Sequence, residues 1–221
     1  MNETSKTKKI WTAVEWGILK GGGIDIGCGP DPVTPNARRF DMEDGDANEI
    51  SRFVAEQFDF VYSSHCLEHM HDPRKAVLEW WRLVKPGGHL MFVVPDEDLY
   101  EQGVFPSRFN PDHKATFTVS KRWSWSPLSV NVLDLARSLP NGHIVAIELQ
   151  DRNYDRRLHK HGEVPLLGPL MAFTKRVYGS LKRRYSTDIP FLNRMLEKRE
   201  AVDQTLKPDV LAQIQCIVRK S

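Results

Sequence analysis

A chain of 221 residues with 40% hydrophobic content suits one domain with an insertion and can bury a sizeable core. No apolar run approaches bilayer length, and the polar, charged segment Met1 to Lys9 lacks the apolar centre of a signal peptide. Three cysteines, Cys28, Cys66 and Cys216, make no disulfide framework, so a reduced, cytoplasmic setting is expected.

In chain order, Ile10, Trp11, Val14, Ile18 and Leu19 have helical spacing and predict a helix over residues 10–20. Gly23-Ile24-Asp25-Ile26-Gly27-Cys28-Gly29-Pro30 reads as a buried strand ending in a tight glycine turn. Such a turn lets a ligand lie against bare backbone, since glycine has no Cβ and tolerates positive φ. Pro30 to Ala37 carries three prolines, so no ordinary helix fits before the next strand, Arg38–Asp41. Only a few residues then separate Asp41 from Asp46.

Further strands are predicted at Phe58–Ser63, Leu90–Val94, His143–Gln150 and Leu211–Arg219. A helix fits between Asp72 and Val84, capped by Asp72 with Pro73 in its first turn. Its apolar positions Val77, Trp80, Trp81 and Val84 fall on one face, and Pro86-Gly87-Gly88 stops it. A second helix is predicted from Ser126-Pro127 through Leu128, Val132, Leu135 and Leu139, ended by Pro140-Asn141-Gly142. Helices alternating with buried strands imply a mostly parallel sheet covered on both faces.

Charge is unevenly spread although the net is only +2. Residues 152–199 hold twelve Lys/Arg against four Asp/Glu, which leaves the remainder net acidic. Within them Leu166, Leu170, Phe173, Val177 and Leu181 form a helical apolar stripe flanked by Lys175, Arg176, Lys182, Arg183 and Arg184. Residues 151–209 are read as a basic helical insertion before the last strand. It suits a cover over the ligand side, an oligomer contact or a membrane-surface helix.

The glycine turn, the segment Ser63-Ser64-His65-Cys66-Leu67-Glu68-His69 and the segment Leu83-Val84-Lys85-Pro86-Gly87-Gly88 occur in a telling order and spacing. Together they resemble the class I S-adenosylmethionine-dependent methyltransferases, in particular the broad bacterial group with a "D-x-G-C-G" first motif. The resemblance covers about residues 18–150 and the strand Leu211–Arg219. It implies a Rossmann-like, mostly parallel seven-stranded sheet with one antiparallel strand, some elements shortened, and helices on both faces. The methyltransferase domain is then residues 1–150 with 210–221.

By that resemblance Asp41, with Met42 beside it, ends the second strand where a carboxylate accepts from the ribose diol, Glu43 being the fallback. Gly45-Asp46-Ala47 matches a segment whose aspartate meets the adenine amino group and whose next N–H meets the ring. Gly27, Cys28 and Gly29 allow close approach, and Asp25 orients their loop and reaches toward the cofactor's amino group. Ser63, Ser64 and His65 line the methionine portion. A nicotinamide dinucleotide is disfavoured, because Gly-Cys-Gly-Pro-Asp-Pro lacks the third glycine of its fingerprint.

Methyl transfer to oxygen needs alignment and a proton acceptor. His113, His65 and His69 are the candidate bases; His113 sits in a stretch resembling one that borders the acceptor pocket. Glu68 is read as satisfying local backbone donors. No metal is expected: His65 and His69 are four apart, with Cys66 between them and His71 beyond, but the Glu-flanked helical zinc motif is missing. Trp123 and Trp125 are read as core residues, with stacking on an acceptor as the other role. The expected acceptor is a small molecule or a glycan or lipid-linked intermediate. No sequence-specific nucleic acid is expected, and a non-catalytic S-adenosylmethionine-binding regulatory or scaffold role is the rival reading.

Overall fold

The computed structural model describes residues 2–158 and 201–221. Its centre is a sheet built from β1 (Gly23–Ile26), β2 (Arg38–Phe40), β3 (Phe58–Ser64), β4 (Val84–Pro95), β7 (Gly142–Gln150) and β8 (Gln213–Lys220), in the order β2-β1-β3-β4-β8-β7. The β2, β1, β3 and β4 strands run parallel, and β8 is antiparallel to both its neighbours, β4 and β7. All six predicted strands are present. Six strands, rather than seven, form the sheet among the described residues.

Strand alternation decides what each face buries. Val61, Leu90, Phe92 and Val94 join Trp80, Trp81 and Leu135 in one core. Phe60, Tyr62, Met91 and Val93 join Trp11, Leu19 and Val33 in the other. The first face is covered by α3 (Pro73–Arg82) and α4 (Val132–Arg137). Asp72 caps α3 by accepting from Arg74 and Lys75 N–H, as predicted. A 3₁₀ segment, Ala47–Arg52, packs beside it, and the Trp80 indole N–H donates to Ala47 O at 2.9 Å. Residues 27–37 carry no helix, as the prolines require.

Several expectations change. The helix predicted over 10–20 is shortened to α2, Ala13–Ile18, behind a Thr12/Glu15 capping box, and a separate helix not predicted, α1, spans Glu3–Lys8. The α3 helix ends before Pro86-Gly87-Gly88, which instead bulges inside β4, where the register against β3 jumps from Phe58↔Val84 to Phe60↔His89. A Cβ on Gly88 would lie 2.7 Å from Asp59 O, so the close strand approach needs glycine there. The helix predicted from Ser126 starts only at Val132 behind an Asn131 cap, because β6 (Ser129–Asn131) pairs with β5 (Thr116–Thr118) in a second, two-stranded sheet. Trp123 is 90% exposed and Trp125 39% exposed, so neither is a core residue. The predicted insertion helix lies outside the described residues.

Candidate active site

The turn after β1 is tied down by its own backbone. Gly27 and Gly29 have φ of +73° and +51°, a region glycine enters without cost. A Cβ on Gly27 would stand 2.6 Å from Cys66 Sγ, whereas one on Gly29 would meet nothing within 4 Å. Gly27 N–H donates to Phe40 O at 2.8 Å, and Gly29 N–H to Asp41 Oδ2 at 2.7 Å. The Arg39 guanidinium donates to Gly29 O, and its Nε lies 3.3 Å from Cys28 Sγ. Strand β2 therefore holds the turn.

One side of Gly27 opens into a cleft of about 620 Å³ whose walls include Asp41, Met42, Asp46 and Ala47. Asp41 Oδ1 also accepts from Met42 N–H at 2.8 Å, so each of its oxygens already has one backbone donor. Asp46 Oδ1 caps the 3₁₀ segment through Asn48 N–H and the Asn48 side chain. Met42 stands 92% exposed at the rim. Glu43, the fallback acid, lines neither cleft.

The other side opens into a cleft of about 280 Å³ lined by Cys28, Gly29, Ser64, Glu68, Tyr100 and His113, among others. Gly27, His65 and His69 border both clefts. Two predicted cofactor residues lie under this groove rather than in it. Ser63 donates from Oγ to Ile26 O at 2.9 Å, a strand-to-strand tie, and is buried. Asp25 accepts from Val33 N–H at 2.6 Å through Oδ2, and its Oδ1 is buried without a partner. It anchors the loop, as expected, but lines neither cleft. Desolvation pushes its carboxyl up to about 7, against the pull of the Val33 hydrogen bond.

Around the smaller cleft, distant segments bring three histidines together. His65, the residue just after β3, has φ +53° and is strained for a side-chain-bearing residue. Its Nε2 is 3.1 Å from Gln213 Oε1, and its Nδ1 is 3.4 Å from Glu68 Oε1. Burial works against charge on this ring, but the neighbouring Glu68 carboxylate more than offsets it and raises the pKa. With both nitrogens facing acceptor oxygens, His65 is suited to be an imidazolium rather than a base.

His113 is buried and places Nδ1 2.7 Å from Glu101 Oε1, while its Nε2 lies 4.0 Å from Glu68 Oε1. His69 places Nδ1 2.8 Å from Asp112 Oδ2, and its ring meets that of His113 edge-on with centroids 5.1 Å apart. Glu68 itself is 1% exposed, and neither of its carboxylate oxygens receives a well-formed hydrogen bond. The backbone role expected of Glu68 falls to its carbonyl, which accepts from Lys114 and Ala115 N–H. Burial disfavours its charge, and the three histidines, His65 first, outweigh this and hold its pKa below the ordinary value.

Glu101 and Asp112 were not singled out by sequence reading. Glu101 ends a π turn, Glu97–Glu101, just after β4. Its signal was the run of acids at a strand's carboxyl end, where open α/β sheets bind ligands. Glu97 in the same run is structural: it accepts from Thr116, Lys121, Ser124 and Ser129 and so ties the small sheet to the turn.

A family model described as a methyltransferase domain matches residues 31–92, starting just beyond the glycine turn. No curated protein matches the chain. Among solved structures, a candidate sarcosine dimethylglycine methyltransferase from Galdieria sulphuraria is 15% identical with a TM-score of 0.50, over 98% of this chain and 83% of that one. A SAM-dependent methyltransferase from Archaeoglobus fulgidus is 14% identical with a TM-score of 0.49, over 100% of this chain and 95% of that one. At these identities the likeness concerns the fold. The matching domain model, over residues 31–92, and this fold together support a class I S-adenosylmethionine-dependent methyltransferase.

Proposed function

We propose that the protein transfers the methyl group of S-adenosylmethionine to an oxygen of an acceptor lying against the histidine wall. The acceptor is read as a small molecule or a glycan or lipid-linked intermediate. The observation that carries this reading is the junction of the two clefts at Gly27, His65 and His69. A cofactor in the larger cleft would direct its sulfonium methyl toward that junction, with the acceptor arriving from the smaller one.

In this reading Asp41 keeps unused lone pairs for the ribose hydroxyls beside its two backbone bonds. Asp46 has Oδ2 to offer the adenine amino group, Ala47 N–H faces the ring, and Met42 covers the rim. Gly27 and Gly29 bring backbone close to the methionine portion, with Cys28 and Ser64 beside it. The acceptor oxygen forms the new O–CH₃ bond as the S–CH₃ bond breaks, and its electron pair returns to sulfur, leaving a neutral thioether. The acceptor's proton has two destinations. His113 and His69 each turn Nδ1 to a carboxylate, which places a lone pair on Nε2.

A purely cofactor-binding scaffold would leave the buried Glu68–His113 cluster without a task. Calorimetry with S-adenosylhomocysteine and with NAD, followed by methyl transfer to a panel of hydroxylated acceptors, tests the reading. Binding of the first ligand and turnover on an oxygen acceptor are expected. NAD binding without a response to S-adenosylhomocysteine would overturn it.

A further inference from the structure

We propose that Glu68, His69 and His113 form a divalent metal site of the open, three-ligand kind, with zinc as the ion whose chemistry fits it. One ligand atom from each residue lies within 4.8 Å of those of the other two. Glu68 Oε1 and His113 Nε2 are 4.0 Å apart. Ligands about 2.1 Å from a tetrahedral ion stand roughly 3.4 Å from one another. Closing the cluster on an ion therefore takes side-chain shifts of about an ångström or less.

The tautomers point the same way. A histidine that donates Nδ1–H to a carboxylate carries its lone pair on Nε2. His113 does this with Glu101, and His69 with Asp112. The His113 lone pair then lies 4.0 Å from a Glu68 carboxylate oxygen that is buried and without a well-formed hydrogen bond, and His69 offers a ligand atom within 4.8 Å of both. His65, 3.4 Å from Glu68 Oε1, supplies one positive charge beside this carboxylate, and a cation between Glu68, His69 and His113 would complete the balance for three converging electron-rich groups. The Glu101 and Asp112 contacts are also the outer carboxylates that orient metal-bound imidazoles and raise their basicity.

Two histidines and one glutamate make a catalytic rather than a structural zinc set, with a fourth position left open. All three ligands line the 280 Å³ cleft, so that position faces the acceptor side. The sequence reading weighed His65 with His69 and expected no metal; the proposed set departs from it, since His65 is engaged by Gln213 and Glu68, and Cys66 is packed under Gly27. The site's existence is independent of methyl transfer. Its role, to hold an acceptor oxygen and ease loss of its proton, rests on that reading, and in the metal-loaded protein it replaces His69 and His113 as proton acceptors, because the ion takes their lone pairs.

The test uses the full chain, stripped with a chelator, dialysed and titrated with Zn²⁺, with elemental analysis for stoichiometry. Co²⁺ in place of zinc reports tetrahedral coordination by its visible absorption. One equivalent of zinc is expected. His69→Ala, at a partly exposed position, and His113→Ala should weaken zinc at least 100-fold. Glu101→Gln should weaken it 10- to 100-fold, as loss of an outer carboxylate does. Failure of the folded wild type to take up zinc, or uptake unchanged in His69→Ala, overturns the proposal and leaves a proton as the bridging cation. S-adenosylhomocysteine binding by the wild type is measured separately. Its absence would sink the methyltransferase reading while leaving a positive zinc result intact.

Discussion

The two clefts that meet at Gly27 are built on different principles. The larger is walled by backbone and acids: the positive-φ Gly27 and Gly45, an Asp41 that ties the turn, and an Asp46 that caps a short helix. The smaller is walled by buried ionisable side chains, Glu68 and His113, with Glu101 behind His113, gathered from three segments. The first kind of wall is local in sequence and recognises a ligand by shape and hydrogen-bond donors. The second exists only after folding and serves to position charge. Damage to the first should therefore appear in cofactor affinity, and damage to the second in turnover.

The largest effect is expected at Gly27. Gly27→Ala adds a Cβ 2.6 Å from Cys66 Sγ at a φ of +73°, combining a clash with left-handed strain of about 1–2 kcal/mol. It should lower stability by ~2–4 kcal/mol, the range of core overpacking plus strain, and abolish S-adenosylhomocysteine binding. Gly29→Ala meets open space, so it should cost only the strain, about 1 kcal/mol. Urea melts of the two variants make the comparison; equal losses would show that conformation, not the contact with Cys66, sets the requirement.

Next comes Asp41. Asp41→Ala should weaken S-adenosylhomocysteine by ~1–3 kcal/mol, the scale of leaving polar partners unpaired. Its stability loss should be smaller, since only the Gly29 and Met42 tethers are lost. Isothermal calorimetry beside thermal melts separates these. Unchanged affinity would move the ribose role elsewhere. Across the junction, Glu101→Gln should do the reverse: about a tenfold or greater fall in kcat with S-adenosylhomocysteine affinity within twofold, because Glu101 positions His113 and does not line either cleft. A matching loss of cofactor affinity would erase the division between the clefts.

The same division explains what could be read from the sequence. Strand positions, the Asp72 cap and the missing helix after Gly29 followed from local patterning, because apolar alternation, capping and proline act over a few residues. The wall of the larger cleft was legible for a similar reason. The wall of the smaller cleft was not: Glu68 and Glu101 are thirty-three positions apart, and nothing local marks Glu68 as lying between His65 and His113. Trp123 and Trp125 misled because aromatic content suggests burial, whereas their segment runs outside the two-stranded sheet. Asp25 shows the remaining limit. Its motif position was clear, but whether it faced the ligand or lay beneath the loop depended on how Val33 folds back.

Asp25 also gives the smallest and most specific prediction. Its carboxyl is 1% exposed, with one oxygen on Val33 N–H and the other without a partner. Burial raises its pKa to about 7 in the folded protein, against about 3.9 in an unfolded chain. Between these values the folded state holds a proton that the unfolded state has released. The stability linked to that proton is thus fully present below about pH 4 and is lost as pH rises through about 7. The full shift would correspond to ~4 kcal/mol, and relaxation of the loop should leave about 1–2 kcal/mol. Asp25→Asn cannot ionise and keeps an oxygen to accept from Val33. Its stability relative to wild type should therefore improve steadily from pH 5 to pH 8, with little further change above. Urea melts at four pH values across that range check it. A difference between the two proteins that does not vary with pH would mean that Asp25 is already ionised in the fold, and that the loop over β1 is held by a charge rather than by a protonated acid.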